Sequence, residues 1–304
     1  MEKFEINILG CGSATPTLRH HPSSQVVNIR EKLFMIDCGE GSQLQFRKMR
    51  LKFSRLNHIF ISHLHGDHCF GLIGLISTLA LLGRTGDLFI YSPEGLQEVL
   101  QPQLDFFCRD NPFKVIFGTF DTEKSELIYE DRSVTIHTIP LKHRVPCSGF
   151  LFREKAKEAN IIPEKINFYN IPLKEIPKIK QGADYITPEG KIIPHNELTK
   201  PAPPSRSYAY CSDTAYSQSI VPIIKNIDLL YHEATFGADQ MKRTKLTGHS
   251  TAAQAAKIAQ AAQVKALMIG HFSSRYLDDS VLLKEAVEIF PETSLANEEV
   301  CEKL

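Results

Sequence analysis

Three imidazoles and one carboxylate fall within six residues at His63-Leu64-His65-Gly66-Asp67-His68, directly behind the apolar run Ile59-Phe60-Ile61. Neither a helix face nor a strand face needs this spacing for packing, so the segment reads as a metal site at the mouth of a strand. Side chains alternate along extended backbone, which points His63 and His65 the same way and lets them grip one cation together. Gly66 permits a turn that swings Asp67 and His68 elsewhere, making room for a second ion a few ångströms away. Imidazole and carboxylate without thiolate suit Zn2+ held for catalysis, and also accept Mn2+ or Fe, better than they suit a cysteine-rich structural zinc. The alternative is a solvated turn after a buried strand, a role for which one histidine is enough.

A catalytic zinc takes about three protein ligands plus water, and a pair needs about six or seven, so distant parts of the chain must contribute. Candidates belong at strand ends, where open α/β sheets place their chemistry. His143 follows the alternating segment from Val134 to Pro140, Asp213 follows Ser207 to Cys211, and His271 follows Ala266 to Gly270. Each ends an apolar or alternating run with a polar residue and then a loop. Taken singly, each also has a plainer reading. A lone histidine at a strand end is commonly a hydrogen-bonded surface or core residue, and Asp213-Thr214 can cap a following helix.

The elements that must carry these residues alternate along the chain. Hydrophobic patterning predicts strands over Glu5 to Leu9, Leu33 to Ile36, His58 to Ile61 and Leu88 to Tyr91, with helices over Gly41 to Arg50, Cys69 to Leu82 and Pro93 to Phe107. In the second half, strands are predicted over Val134 to Ile139, Gly149 to Phe152, Ser207 to Cys211, Leu229 to His232 and Ala266 to Ile269. Helices fall between them at Tyr216 to Asn226, Thr251 to Ala262 and Asp279 to Ile289, the second with Ser250 or Thr251 as its cap and an Ala-rich body. The pattern predicts an α/β class fold with two mixed sheets face to face and helices outside, an αβ/βα sandwich spanning residues 1–304 as a single domain. Ligands from both halves then meet along one sandwich edge.

With 304 residues, 42% of them hydrophobic, the chain buries a substantial core, and its formal net charge of zero excludes wholesale polyanion binding, so any contact with a nucleic acid must be local. Seven cysteines are dispersed, odd in number and free of any Cys-x-x-Cys pair, which predicts reduced thiols and a cytoplasmic protein. No signal peptide is expected, since Met1 to Glu5 leads straight into a strand-like run. The longest apolar stretch, Leu72 to Leu82, is too short to cross a bilayer and predicts a buried helix behind the metal cluster.

Beyond the cluster, the chain carries Gly10-Cys11-Gly12-Ser13, Asp37-Cys38-Gly39-Glu40, His143, Ser212-Asp213-Thr214, His232-Glu233-Ala234-Thr235, His249-Ser250-Thr251 and Gly270-His271-Phe272-Ser273-Ser274-Arg275-Tyr276. With these motifs it resembles the metallo-β-lactamase superfamily and, within it, the RNase Z family of tRNA 3′-processing endonucleases. The cluster alone points only to the superfamily; the His232 and His249 motifs narrow the likeness. The resemblance implies a metallo-β-lactamase-like sandwich and two Zn2+ per subunit, one held by His63, His65 and His143, the other by Asp67, His68 and His271, with Asp213 bridging. It also implies cleavage of precursor tRNA just after the acceptor stem, Asp67 as acceptor of the water proton, and a homodimer in which one subunit's arm grips RNA cut by the other. His249 is the best candidate donor to the leaving 3′ oxygen, with Glu233 tuning its imidazole. The plainer alternatives are a phosphate hydrogen-bond donor for His249 and a helix-start cap for Glu233.

Residues 153–204 break the alternation with a run rich in Lys, Ile and Pro that ends Pro201-Ala202-Pro203-Pro204. Its lysines, among them Lys155, Lys157, Lys178 and Lys180, suit an arm that clamps RNA phosphates, as the resemblance implies for a tRNA exosite. Glu154, Glu158, Glu164, Glu175 and Glu189 nearly balance them, which is equally the mark of a solvated insertion. Lys242 and Arg243, just before Gly248-His249, are the nearer phosphate contacts. The sequence departs from the family pattern in three places: the arm lacks a Gly-Pro motif, Pro16-Thr17-Leu18-Arg19-His20-His21 keeps only a proline and an offset arginine, and Ser212 replaces a commoner Gly before Asp213. That serine requires a negative φ. Two other classes of function compete: a dizinc phosphodiesterase or ester hydrolase acting on a small molecule, and a non-catalytic RNA-binding scaffold.

Overall fold

Alternate residues of the strand Lys32–Ile36 serve two separate cores: Phe34 and Ile36 join one buried cluster, Leu33 and Met35 the other. Because both faces of the strand are buried, its sequence is a continuous apolar run. This computed structural model describes residues 2–304. One sheet runs in the order Cys301–Lys303, Phe4–Gly10, Ser24–Ile29, Lys32–Ile36, Leu56–Phe60, Leu88–Ser92, Val115–Thr119, antiparallel on the first side and parallel from Lys32–Ile36 onward. The other runs Thr293–Leu295, Ala266–Gly270, Leu229–Glu233, Ser207–Cys211, Ser148–Glu154, Val134–Pro140, Leu127–Glu130, with its first four strands parallel. Both sheets are thus mixed, and the predicted αβ/βα sandwich is the observed architecture.

Aromatic rings fill the space between the sheets, with Phe34 and Phe60 each 6.0 Å from Phe152 and Phe60 5.6 Å from Phe150. On the outer face of the first sheet the helix Leu72–Leu81 buries Leu72, Leu75, Ile76 and Leu79. On the second, the helix Ala252–Ala262 buries six residues, five of them alanines. Thr251 caps that helix with a full capping box: its side chain accepts from Gln254 N–H while the Gln254 side chain accepts from Thr251 N–H.

Two predicted helices differ. The stretch expected to be one helix from Cys69 to Leu82 is broken into Gly66–Cys69 and Leu72–Leu81 at Gly71. Gly71 donates its N–H to Cys38 O at 2.8 Å, and a Cβ there would lie 2.1 Å from Gly39 O, so the chain must pass too close for any side chain. Tyr216 to Asn226 is not an α-helix but a 3-10 turn at Gln218–Ile220 followed by further turns. Pro222 lacks the N–H an α-helix needs, and Val221, Ile223 and Ile224 around it are β-branched.

Glu154–Ser205 forms a compact unit of its own, distinct from the one built by residues up to Arg153 and Arg206–Leu304. It holds two short antiparallel strand pairs, Asn160–Ile161 with Thr199–Lys200 and the hairpin Tyr185–Ile186 with Ile192–Ile193, and the helices Pro163–Phe168, Ile176–Lys180 and His195–Leu198. Ile171, Ile179, Tyr185, Ile193 and Leu198 make a small core inside it. No helix among the described residues is long and apolar enough to cross a membrane.

Candidate metal centre

All seven residues singled out in the sequence converge at one edge of the sandwich, at the carboxyl ends of strands. His63, His65, His143 and Asp213 bring ligand atoms within 4.8 Å of one another, and so do Asp67, His68 and His271. Asp213 divides its carboxylate between the two groups. One oxygen lies 3.5 Å from His63 Nε2 and 3.7 Å from His143 Nε2, the other 3.2 Å from His68 Nε2 and 3.0 Å from His271 Nε2. Asp67 approaches His68 Nε2 at 3.4 Å and His271 Nε2 at 3.7 Å. A tetrahedral zinc with bonds of about 2.0–2.1 Å has ligand atoms about 3.3 Å apart, so these spacings fit ions at the two centroids.

Hydrogen bonds on the far side of four of the five rings decide which nitrogen faces the cluster, while His65 turns its Nδ1 inward, 2.9 Å from His63 Nε2. His68 Nδ1 donates to Asp37 at 2.7 Å, His143 Nδ1 to the Gly248 carbonyl at 2.9 Å, His271 Nδ1 to Thr235 Oγ1 at 2.9 Å, and His63 Nδ1 to Ser62 Oγ at 3.0 Å. Ser62 in turn donates to Asp37 at 2.9 Å. These four rings then turn Nε2 toward the cluster, and partners of this kind fix ring orientation and raise ligand basicity. The Nε2 atoms of His68 and His271 are buried without a hydrogen-bond partner, a cost that a cation removes.

The charges agree. Burial pushes His63, His65 and His143 down, keeping them neutral, which is the ligand form. Burial also disfavours a charge on His68, but Asp213, Asp37 and Asp67 outweigh it and hold the ring well above its ordinary value. Excess carboxylate at the centre calls for positive charge. Asp67 and Asp213 stay well below the usual carboxylate range despite burial, because histidines surround them.

Two candidate ligands and one supporting residue sit in the left-handed region, Asp213 with φ of 54°, His271 with φ of 61° and Asp37 with φ of 54°. Non-glycine residues held there cost about 1–3 kcal/mol each and persist where surrounding contacts over-determine them, as at functional sites. Ser212 is not among the positive-φ residues, so it replaces glycine without strain.

Glu233 ends the strand Leu229–Glu233 and caps no helix. Its buried carboxylate accepts from Thr214 N–H at 2.7 Å, Thr235 Oγ1–H at 2.5 Å, Ser250 N–H at 3.1 Å and His249 Nδ1–H at 2.8 Å. Burial opposes the His249 imidazolium, yet Glu233 outweighs it and raises the group to about 9. The His249 ring stacks 5.3 Å from His271. A cavity of about 610 Å³ opens over this cluster, lined by His65, Asp67, His143, His249 and His271 and, farther out, by Phe70, Arg144, Arg243 and Arg275.

Of the expected RNA contacts, Arg243 reaches this cavity and Lys242 does not line it. In the Glu154–Ser205 unit, Lys157 pairs with Glu154 at 3.4 Å, Lys178 with Glu175 at 3.1 Å and Lys180 with Glu158 at 3.4 Å. Lys155 also has an interaction partner.

Sequence reasoning quoted Asp37 and Thr235 within motifs without giving them a role and did not name Ser62, yet these three orient the rings. Asp37, Thr235 and Ser62 lie at or just past strand ends beside the ligands, a position that signals them only once the ligands are known. It also passed over a clasp on the segment from Ser13 to Pro22. His20 donates from Nε2 to Asp279 at 2.8 Å and from Nδ1 to Glu298 at 2.9 Å, Arg19 pairs with Asp279 at 3.1 Å, and Glu298 accepts from His21 N–H at 2.7 Å. Cys11, His20 and Glu298 are close enough to hold a metal. Both His20 nitrogens already serve carboxylates, however, and burial beside Glu298 keeps the Cys11 thiol protonated, so protons hold this cluster together.

The amino-terminal half, residues 4–155, matches a family model described as Anti-Pycsar protein Apyc1. That stretch carries the His63 to His68 cluster and His143 but stops short of Asp213, Glu233, His249 and His271. A protein of Bacteroides thetaiotaomicron named Ribonuclease Z is 63% identical over 301 residues, which cover 99% of this chain and 95% of that one. Human tRNase Z, short form, superposes with a TM-score of 0.71 at 26% identity, covering 98% of both chains. The metallo-beta-lactamase fold protein YhfI of Bacillus subtilis superposes with a TM-score of 0.69 at 20% identity, covering 99% of this chain and 100% of that one, a likeness of fold.

Proposed function

The chain belongs to the ribonuclease Z family, and from that membership we propose the reaction its site performs: hydrolytic removal of the 3′ trailer from precursor tRNA, leaving a 3′-hydroxyl on the tRNA and a 5′-phosphate on the trailer. It is a metal-dependent endoribonuclease acting on tRNA. The observation that carries the residue roles is the pair of ligand clusters sharing Asp213. In this reading His63, His65 and His143 would hold one Zn2+ and Asp67, His68 and His271 the other, with Asp213 shared between them; the same donors would accept Mn2+ or Fe.

Divalent cations bound there would supply Lewis-acid polarisation of a phosphate and would lower the pKa of bound water toward about 7. The protein does the rest. Asp67, at the cavity wall, accepts the proton of the attacking water. His249, held by Glu233 through Nδ1, donates from Nε2 to the 3′ oxygen as it leaves, and the Glu233 carboxylate stabilises its charged form before transfer. His63, His65 and His143 stay neutral as ligands and move no proton. Arg243 contacts phosphate at the cavity rim.

The Glu154–Ser205 unit serves as tRNA exosite, with Lys155, Lys157, Lys178 and Lys180 at its phosphate-facing surface, and the chain works as a cytoplasmic homodimer. The ion pairs of Lys157, Lys178 and Lys180 require those lysines to exchange a carboxylate for a phosphate on binding.

The test assays precursor tRNA beside a chromogenic phosphodiester, with metal content measured on the same preparation. Mature 3′ ends and about two zinc ions per chain are expected. Activity on the small ester with none on tRNA overturns the reading in favour of a small-molecule phosphodiesterase, the class to which the amino-terminal cluster alone is equally suited. Asp67→Ala abolishes cleavage; unchanged function in that variant would point to an RNA-binding scaffold.

A further inference from the structure

Phe70 is 72% exposed, although its neighbours in sequence are built into the metal cluster. It follows the helix Gly66–Cys69 directly and returns its N–H to Gly66 O at 2.8 Å. The ring lies against Gly66 so closely that a Cβ there would come within 2.2 Å of its Cε2 atom. Glycine therefore seats the ring, and among the described residues no other ring packs against it. Phe70 lines the same cavity as Asp67 and His271. Arg144, Arg243 and Arg275 line it too, and among the described residues none of these guanidinium groups pairs with a carboxylate.

A wet aromatic face beside unpaired cations and a hydrolytic centre has the two chemistries of a nucleotide: a π surface for the base and positive charge for the phosphates. Phe106, Phe107 and Phe168 are as exposed, and what sets Phe70 apart is its place on the wall of the cavity over the cluster. We propose that Phe70 is the stacking platform for one unpaired base next to the scissile phosphate, with Arg144, Arg243 and Arg275 holding the flanking backbone. The inference rests on the reading of this site as an RNA-cleaving centre. It adds how the strand is positioned there: stacking accepts any base, so the residue sets register at the cut and leaves sequence unread.

Metal-loaded full-length protein is assayed on precursor tRNA with Phe70 as found and as Phe70→Ala, Phe70→Leu and Phe70→Trp. Base–aromatic stacking predicts a loss in kcat/KM of about 10- to 100-fold for the alanine and leucine variants and near-complete rescue by tryptophan. Thermal unfolding checks that all four chains are folded. A second readout uses metal-free protein and an uncleaved RNA with 2-aminopurine on either side of the cut: fluorescence is quenched on binding at one of the two positions, and not in Phe70→Leu. An abasic nucleotide at that position abolishes the difference between wild type and Phe70→Leu. Wild-type protein that leaves precursor tRNA uncut overturns the parent reading and this one with it. Cleavage by wild type with Phe70→Leu equally active, or with quenching unchanged in that variant, overturns the stacking role alone.

Discussion

Replacing His20 by Gln removes the ring that bridges Asp279 and Glu298. The His20 side chain is 6% exposed, that of Asp279 7% and that of Glu298 12%, and both ring nitrogens donate at 2.8 and 2.9 Å. Burial alone would discharge the ring, but the hydrogen bonds and charges of Asp279 and Glu298 prevail and raise it from 6.5 to about 9. At about 1.4 kcal/mol for each tenfold in proton affinity, that rise is worth about 3 kcal/mol, a large part of a typical folding stability of about 5–15 kcal/mol. The folded value lies above the unfolded one, so the stabilisation is complete below about pH 6.5 and fades as pH rises toward 9. Denaturant unfolding of both chains at pH 6, 7.5 and 9.5 should therefore show His20→Gln about 3 kcal/mol less stable at pH 6, with the gap closing by pH 9.5. Titration of the metal-site groups is common to both chains and cancels in the difference. A gap that holds constant or widens across this range refutes the clasp as a protonated bridge.

Two further outcomes follow from groups that touch no substrate. Asp37→Asn weakens the hold on His68 and Ser62 and should lower metal affinity about 10- to 100-fold, read by competition with a chromophoric chelator. Thr251→Ala breaks the capping box of Ala252–Ala262 and should cost about 1 kcal/mol in urea unfolding, with metal content unchanged.

Local chemistry made the candidate ligands legible. His63, His65, Asp67 and His68 are adjacent in sequence, and a run of ligand types with no packing use declares itself; His143, Asp213 and His271 follow runs whose period marks them as strands. The helix Ala252–Ala262 was legible for the same reason, since its cap and its alanines are neighbours. Ser24–Ile29 was not seen as a strand, because Gln25 and Asn28 break its apolar pattern although all six residues are buried. Tyr216 to Asn226 misled because an apolar run at helical spacing outweighed the single proline within it.

What the linear chain determined is which ligand-type residues lie together and most of the segments that extend or coil, because those depend on neighbours a few positions apart. Tertiary structure alone decided that Asp213 splits its two oxygens between the clusters, that Asp37, Thr235 and the Gly248 carbonyl choose the free nitrogen of His68, His271 and His143, and that His20 meets partners 259 and 278 residues away. Direction, protonation and shared charge belong to atoms brought together by packing, and no spacing along the backbone encodes them.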